Sequence, residues 1–138
     1  MPVAGGGQSG VETGMHLAEK DHNVTVLERS HKLAKDAPPL QFYSMFEEAW
    51  EKLPNFKGIV NAVCTAITEN GVKYVGADGN EQIVKAGTVV IAAGMQPKND
   101  EALAFAALNK KLLLIGDCHT IGNVQTAVRS GYGAAHIL

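Results

Sequence analysis

Gly5-Gly6-Gly7-Gln8-Ser9-Gly10 stands at the head of the chain, and Glu28 follows eighteen residues after Gly10. Gly-x-Gly-x-x-Gly with an acid at that distance predicts a dinucleotide site, because each part has its own task. Gly5 permits a tight strand-to-helix turn. Gly7 has no side chain, so backbone N–H groups can approach a pyrophosphate, with Gln8 and Ser9 contributing mainly their own N–H groups. Gly10 lets the helix lie close to the strand. The helix N-terminus then presents unpaired N–H groups and a partial positive charge to the phosphates. Glu28 is spaced to accept hydrogen bonds from both hydroxyls of an adenosine ribose.

The chain has 15 glycines, so the pattern draws its weight from its surroundings. Val3-Ala4 before it reads as a strand end. Val11, Met15, Leu17 and Ala18 after it form an apolar stripe at helical spacing. Lys20-Asp21-His22-Asn23 closes that helix, and Val24-Thr25-Val26-Leu27 is a β-branched, buried strand ending at Glu28. Strand, turn, helix, strand and acid fit into about thirty residues, as a βαβ unit requires.

The whole chain of 138 residues suits one core. It is 46% hydrophobic and 19% charged, and its net charge of −2 comes from 12 basic and 14 acidic residues. No basic stripe points to nucleic acid. The longest apolar runs are strand-length, which gives no membrane span. The N-terminus runs straight into the glycine loop, with no signal peptide. Cys64 and Cys118, 54 positions apart, read as two reduced thiols of a cytoplasmic protein, and without Cys-x-x-Cys there is no metal site. Met1-Pro2-Val3-Ala4 is a short opening for a central strand, and proline is tolerated only at strand beginnings or edges. The expectation is a chain cut from a longer protein.

Further along, Arg29 to Ala37 is polar and Pro38-Pro39 stops any earlier helix. Leu40 to Leu53 reads as a helix with core-facing Phe42, Met45, Phe46, Ala49, Trp50 and Leu53, ended by Pro54-Asn55. The period then changes to two. Residues 62–67, 72–75 and 82–85 form a three-stranded antiparallel meander turned at Asn70-Gly71 and Asp78-Gly79-Asn80. Thr88 to Ala93, before Gly94, reads as a central parallel strand buried on both faces. Glu101 to Leu108 is a short helix, Lys111 to Gly116 a further strand, and Asn123 to Leu138 a closing helix. Gly131 and Gly133 within it predict close packing on a neighbour. The segment 111–116 is expected to pair beside 88–93 and extend a strand order 3-2-1-4 to 3-2-1-4-5, burying Leu112 to Ile115. The fold class is thus α/β: a Rossmann-type parallel sheet with a three-stranded antiparallel meander.

Three motifs stand in order: Gly-Gly-Gly-Gln-Ser-Gly-Val-Glu-Thr, Thr-Val-Val-Ile-Ala-Ala-Gly and Leu-Leu-Ile-Gly-Asp-Cys. With a meander between the first two, they resemble the pyridine nucleotide-disulfide oxidoreductase superfamily. The tail Gly122-Asn123-Val124-Gln125-Thr126-Ala127-Val128-Arg129-Ser130-Gly131-Tyr132 is most similar to the C-terminal region of the NADH:flavin oxidoreductases with an N-terminal old-yellow-enzyme barrel. That group includes 2,4-dienoyl-CoA and 2-enoate reductases. The resemblance implies that residues 1–110 are an NAD(P)H-binding domain, with Ala93 and Gly94 at the cofactor. It implies that 111–138 is the returning C-terminal segment of an FAD-binding domain, where Gly116 and Asp117 face the flavin's ribitol or phosphate. FAD belongs to the parent protein. FMN and an iron–sulfur cluster belong to a part not represented here, and the remainder of the parent polypeptide is the implied partner. Glu12 has two readings: a helix-dipole partner, or, as in relatives with Gly-x-Glu, an acid near the nicotinamide. Asp117 has a second reading as the cap of the turn that follows it.

Glu28 opposes a 2′-phosphate at ~4 Å by up to about 4 kcal/mol at an effective dielectric of 20, which favours NADH. Arg29 and Lys32 stand close enough in sequence to offset it. Other chemistries fail by residue type. A short-chain dehydrogenase needs Tyr-x-x-x-Lys, but Glu47, Asp78 and His136 stand four residues beyond the three tyrosines. No nucleophile elbow is present. No catalytic side chain is expected, because hydride transfer to flavin needs positioning rather than acid–base chemistry. The alternatives to an oxidoreductase domain are a stand-alone NAD(H)-binding regulatory module, or an excised domain without activity of its own. The sequence sets neither the oligomeric state nor the final substrate.

Overall fold

A computed structural model of the chain describes residues 1–108 and 111–137, apart from the side chain of Gln41. Leu138, expected in the closing helix, and residues 109–110, where the domain boundary was placed, lie outside them. The described chain divides into two compact units, Met1–Gly94 and Met95–Leu138.

The first unit contains the βαβ start. Strand β1 (Pro2–Ala4) leads through the glycine loop into helix α1 (Gln8–Glu19) and then into β2 (Val24–Leu27). Gly10, Val11, Gly14, Met15 and Ala18 form the buried face of α1, as its 3.6-residue period predicts. Lys20 caps the helix, and Asp21 turns the chain in the left-handed region at φ +63°. A π-helical turn, Pro39–Tyr43, opens α2 (Ser44–Glu51). This is shorter than the helix expected over 40–53. Phe42, Phe46 and Trp50 join the core as expected.

Strand β3 (Phe56–Ile59) pairs in parallel with β2 and has no counterpart in the sequence reading. The parallel sheet is completed by β7 (Val90–Ile91), giving the order β3-β2-β1-β7. Between them lies the meander, β4 (Val63–Thr68), β5 (Gly71–Val75) and β6 (Glu81–Lys85), in that spatial order. The expected α/β class with a separate three-stranded antiparallel sheet is therefore present. The first hairpin closes on the pair Thr68–Gly71, so its two-residue loop is Glu69-Asn70, one residue earlier than predicted. Val72 and Tyr74 are buried with Leu27 and Ala62 in a second core cluster.

Two expectations fail. The segment 88–93 is not a central strand buried on both faces. Only Val90 and Ile91 pair, with β1 alone, and Ile91 is 69% exposed. Residues 111–115 form no strand, and Leu112, Leu113 and Ile115 are exposed. The two failures have one physical cause. An apolar run becomes a buried strand only when a neighbour completes its ladder and covers its faces. Among the described residues β7 has no second neighbour.

The second unit has α3 (Asn99–Leu103), 3₁₀ turns at Ala104–Leu108 and Gly116–Cys118, and α4 (Val124–Ala135). Asn123 caps α4 in a reciprocal box with Thr126. None of the described residues in 95–137 is buried. A Cβ on Gly131 would lie an ordinary 3.9 Å from Ile115 Cδ1 and one on Gly133 would meet nothing within 4 Å, so tight packing among the described residues does not explain these glycines.

Candidate functional site

In an open parallel sheet, ligands bind at the carboxyl ends of the strands where the strand order reverses. Here that point lies between β1 and β7, and a cleft of about 480 Å³ opens there. Gly5, Gly6 and Gly7 line it from the end of β1, Glu28 and Arg29 from the end of β2, and Ala92, Ala93 and Gly94 from the end of β7. Of the residues singled out in the sequence, Gly5, Gly7, Glu28, Arg29, Ala93 and Gly94 share this one wall. Gln8 and Ser9 are the first residues of α1, directly beyond Gly7, and Gly10 lies buried in its first turn.

The glycines divide by what surrounds them. Gly5 has φ +111°, and a Cβ on it would overlap the carbonyl oxygen of Ala92. A Cβ on Gly10 would overlap the carbonyl oxygen of Gly5. A Cβ on Gly14 would lie 2.9 Å from Val26 Cγ2 and 3.0 Å from Phe56 Cε2. These three make the helix and sheet fit. Gly7 is different: nothing lies within 4 Å of its Cβ position. The protein itself does not require glycine at 7, so the open space fits a ligand's close approach.

Glu28 is already oriented. Gly6 N–H donates to Oε2 at 2.8 Å and Ser30 N–H donates to Oε1 at 2.7 Å. Each oxygen keeps a second lone pair, so two ribose hydroxyls remain compatible with this arrangement. Partial burial alone would raise the carboxyl's pKa. The bonds from Ser30 and Gly6, with the nearby Arg29 charge, outweigh it and hold the group below its ordinary value. Because the folded-state pKa is lowered, ionised Glu28 stabilises the fold above the ordinary carboxylate range. That contribution is lost as pH falls toward the folded value. Glu28→Gln replaces an acceptor with an NH₂ facing one of two N–H donors, a partly buried mismatch worth at most about 1–3 kcal/mol. The expected outcome is on the order of tenfold weaker NADH binding. The wild-type affinity should stay flat with pH until below the usual carboxylate range, as read by titration calorimetry between pH 8 and pH 4.

Glu12 lies in the second turn of α1, not the first as the sequence suggested. It accepts a hydrogen bond from Gln8 Nε2 at 3.0 Å, and its dipole interaction is correspondingly weaker. Lys32 rests over the ring of Tyr43, 3.6 Å from the centroid, and does not line the cleft. Lys35 and Asp36 do line it, as do Ser30, Ala62, Val63 and Cys64. Their one sequence signal is position: they follow the ends of β2 and β3, on the ligand edge of the sheet. Partial desolvation in the cleft and the negative charge of Glu28 push the exposed Cys64 thiol's pKa up.

In the second unit, Asp117 Oδ1 accepts a hydrogen bond from Gly122 N–H at 3.1 Å, and Gly116 N–H donates to Ser130 Oγ at 2.9 Å. Asp117 therefore ties down the turn that follows it. With none of the described residues of 95–137 buried, these residues do not wall a flavin pocket by themselves. Among the described residues no group of three or more His, Cys, Asp or Glu is placed to hold a metal. No described helix is long and apolar enough to cross a membrane.

Comparison with known proteins decides the lineage of this cleft. The family described as pyridine nucleotide-disulphide oxidoreductase matches residues 1–131. The chain belongs to that family. Members of the family are oxidoreductases, and membership implies binding of NAD(P)H and FAD. Within it, the chain is 34% identical to an NADH oxidase of Thermoanaerobacter brockii over 96% of its length, and 31% identical to a bilirubin reductase of Mediterraneibacter gnavus over 99%. It covers about a fifth of each, 20% and 21%. Among solved structures, a 2-naphthoyl-CoA reductase matches 95% of the chain at 27% identity, with a TM-score of 0.81 over 20% of that protein. Histamine dehydrogenase from Rhizobium sp. 4-9 shares the fold at 15% identity, TM-score 0.81 over 22% of its chain. The 2-naphthoyl-CoA reductase agrees with the old-yellow-enzyme-type group that the motifs resemble.

Proposed function

We propose that this chain is the NAD(P)H-binding part of a flavin-dependent oxidoreductase, and that it holds the nicotinamide for hydride transfer to FAD carried by the parent protein. One observation supports this most: the glycine loop, an oriented Glu28 and Ala92–Gly94 converge on one cleft at the reversal point of a parallel sheet. Bound nicotinamide supplies a two-electron hydride, and the chain's own residues bind and orient. The N–H groups at the start of α1 face the pyrophosphate. Glu28 takes the adenosine ribose, and Ala93 and Gly94 flank the cleft from β7.

In this reading residues 1–110 form the nucleotide domain and 111–138 are the returning part of the FAD domain, with Gly116 and Asp117 toward the flavin. FMN and an iron–sulfur cluster belong to the remainder of the parent, which is the partner of this segment. Turnover requires that remainder, so the isolated chain binds without reacting. The two free thiols, Cys64 and Cys118, suit the reducing cytoplasm.

Glu28 and Asp36 oppose a 2′-phosphate, while Arg29 and Lys35 attract one. Glu28 is the acid already fixed by two hydrogen bonds, and this favours NADH. Titrating the purified chain with NADH and NADPH by calorimetry tests the proposal. Tighter NADH binding is expected. Tighter NADPH binding would overturn the preference, and binding of neither would overturn the function.

A further inference from the structure

Beyond Glu28, the cleft wall is the loop from Ser30 to Ala37, and several contacts hold it. Ala34 N–H donates to the Gly6 carbonyl at 2.7 Å, tying the loop to the glycine turn. Leu33 is buried beside Gly6 and Gly58. A Cβ on Gly6 would lie 2.9 Å from Leu33 Cδ2, and one on Gly58 would lie 2.6 Å from Leu33 Cδ1. Ala34 adopts φ +48°, a conformation that an L-residue keeps only where its surroundings enforce it. A further contact comes from the hydroxyl of Tyr43, 2.9 Å from both the Leu33 and the Ala34 carbonyl oxygens. Its single proton serves the two acceptors together or in alternation.

Tyr43 is itself anchored. Its ring meets Phe42 edge-on at 5.8 Å and Trp50 at 6.4 Å between centroids. The Lys32 ammonium lies over its face at 3.6 Å, a favourable cation–π contact. One ring thus withdraws Lys32 from the cleft and fixes the backbone immediately before Lys35 and Asp36, which line it.

We propose that Tyr43 is the positioning residue for the adenosine-ribose side of the cleft, fixing Lys35 and Asp36 through the carbonyls of Leu33 and Ala34. This rests on the nucleotide-binding reading above. A wall ordered before the ligand arrives spares binding the cost of ordering it. Removing the hydroxyl leaves the ring and the fold in place and transfers that cost to the binding step.

The test is Tyr43→Phe in the full 138-residue chain, with NADH and ADP-ribose titrated by calorimetry and amide exchange at Ala34 followed without ligand. Loss of one net hydrogen bond predicts about three- to tenfold weaker binding of both ligands. The factor should be the same for each, because ADP-ribose carries the whole adenosine half. Exchange at Ala34 should accelerate. Unchanged affinities overturn the assignment, even with faster exchange, because a purely structural tyrosine would leave them unmoved. If the wild-type chain binds neither ligand, the nucleotide reading fails and the assignment falls with it. If the wild type binds and Tyr43→Phe binds equally, only the role of Tyr43 fails. Should Tyr43→Phe not fold, Gly58→Ala displaces Leu33 from the other side of the loop, and the same equal loss for both ligands is expected.

Discussion

Gly5→Ala should destabilise the first unit by about 3 kcal/mol or more, at the high end for one methyl group. Two costs add. At φ +111° an L-residue is strained, and the new Cβ would overlap the Ala92 carbonyl oxygen and sit 2.6 Å from the Ala92 carbonyl carbon. Neither atom is the end of a flexible side chain. Ala92 is tied to β1 by its own N–H, which donates to the Ala4 carbonyl at 2.8 Å. Relief would require β1 and the residues after β7 to part, and these are the walls of the cleft. A fall in thermal midpoint on the order of 10 °C is expected, read by circular dichroism or calorimetry. A variant as stable as the wild type would show that this turn is not built as described.

Gly7→Ala should do the opposite: keep the fold and lose the nucleotide. Gly7 is the N-cap of α1 at φ −65° and ψ 178°, a conformation open to any residue. Its Cβ position meets no protein atom within 4 Å. The folding cost is limited to alanine being a poorer N-cap than glycine, at most about 1 kcal/mol. A pyrophosphate drawn down onto the N–H groups of α1 would meet that methyl directly. Crowding of this kind costs about 1–3 kcal/mol, so binding should weaken on the order of thirtyfold. The pair Gly5 and Gly7 therefore separates the two demands for glycine in this loop, one made by the fold and one by the ligand.

The sequence made the start of the chain legible because local and global signals agree there. The glycine turn, the 3.6-residue stripe from Val11 to Ala18 and the β-branched run at Val24 each name the same βαβ unit. The meander was equally plain from its turns. Strand β3 was not, because Gly58 and Lys57 interrupt its apolar pattern. The structure supplies the reason for the glycine: Leu33 occupies the space where a side chain would be. The runs at 88–93 and 111–116 misled for a different reason. Their composition describes strands with neighbours on both sides, but among the described residues β7 pairs with β1 alone and 111–115 forms no strand.

The candidate site was legible where it lies on the ends of elements and illegible where it depends on a loop folding back. Gly5, Gly7 and Glu28 follow from motif spacing, and Ala93 and Gly94 from the family resemblance of the strand that carries them. Lys35, Asp36 and Tyr43 do not. Their placement depends on Ala34 adopting φ +48° and returning its N–H to Gly6, and no local pattern encodes that. Lys32 was the natural cation to suspect from spacing, and a tyrosine eleven residues on removes it from the cleft.

Dinucleotide binding by this loop and cleft is best checked by titrating NADH into the purified wild-type chain and into Gly7→Ala, with the thermal midpoint of each measured in parallel. One NADH per wild-type chain is expected, and for Gly7→Ala a nearly unchanged midpoint with binding weakened on the order of thirtyfold. Equal NADH affinity in the two proteins, or no binding to the wild type, would contradict it.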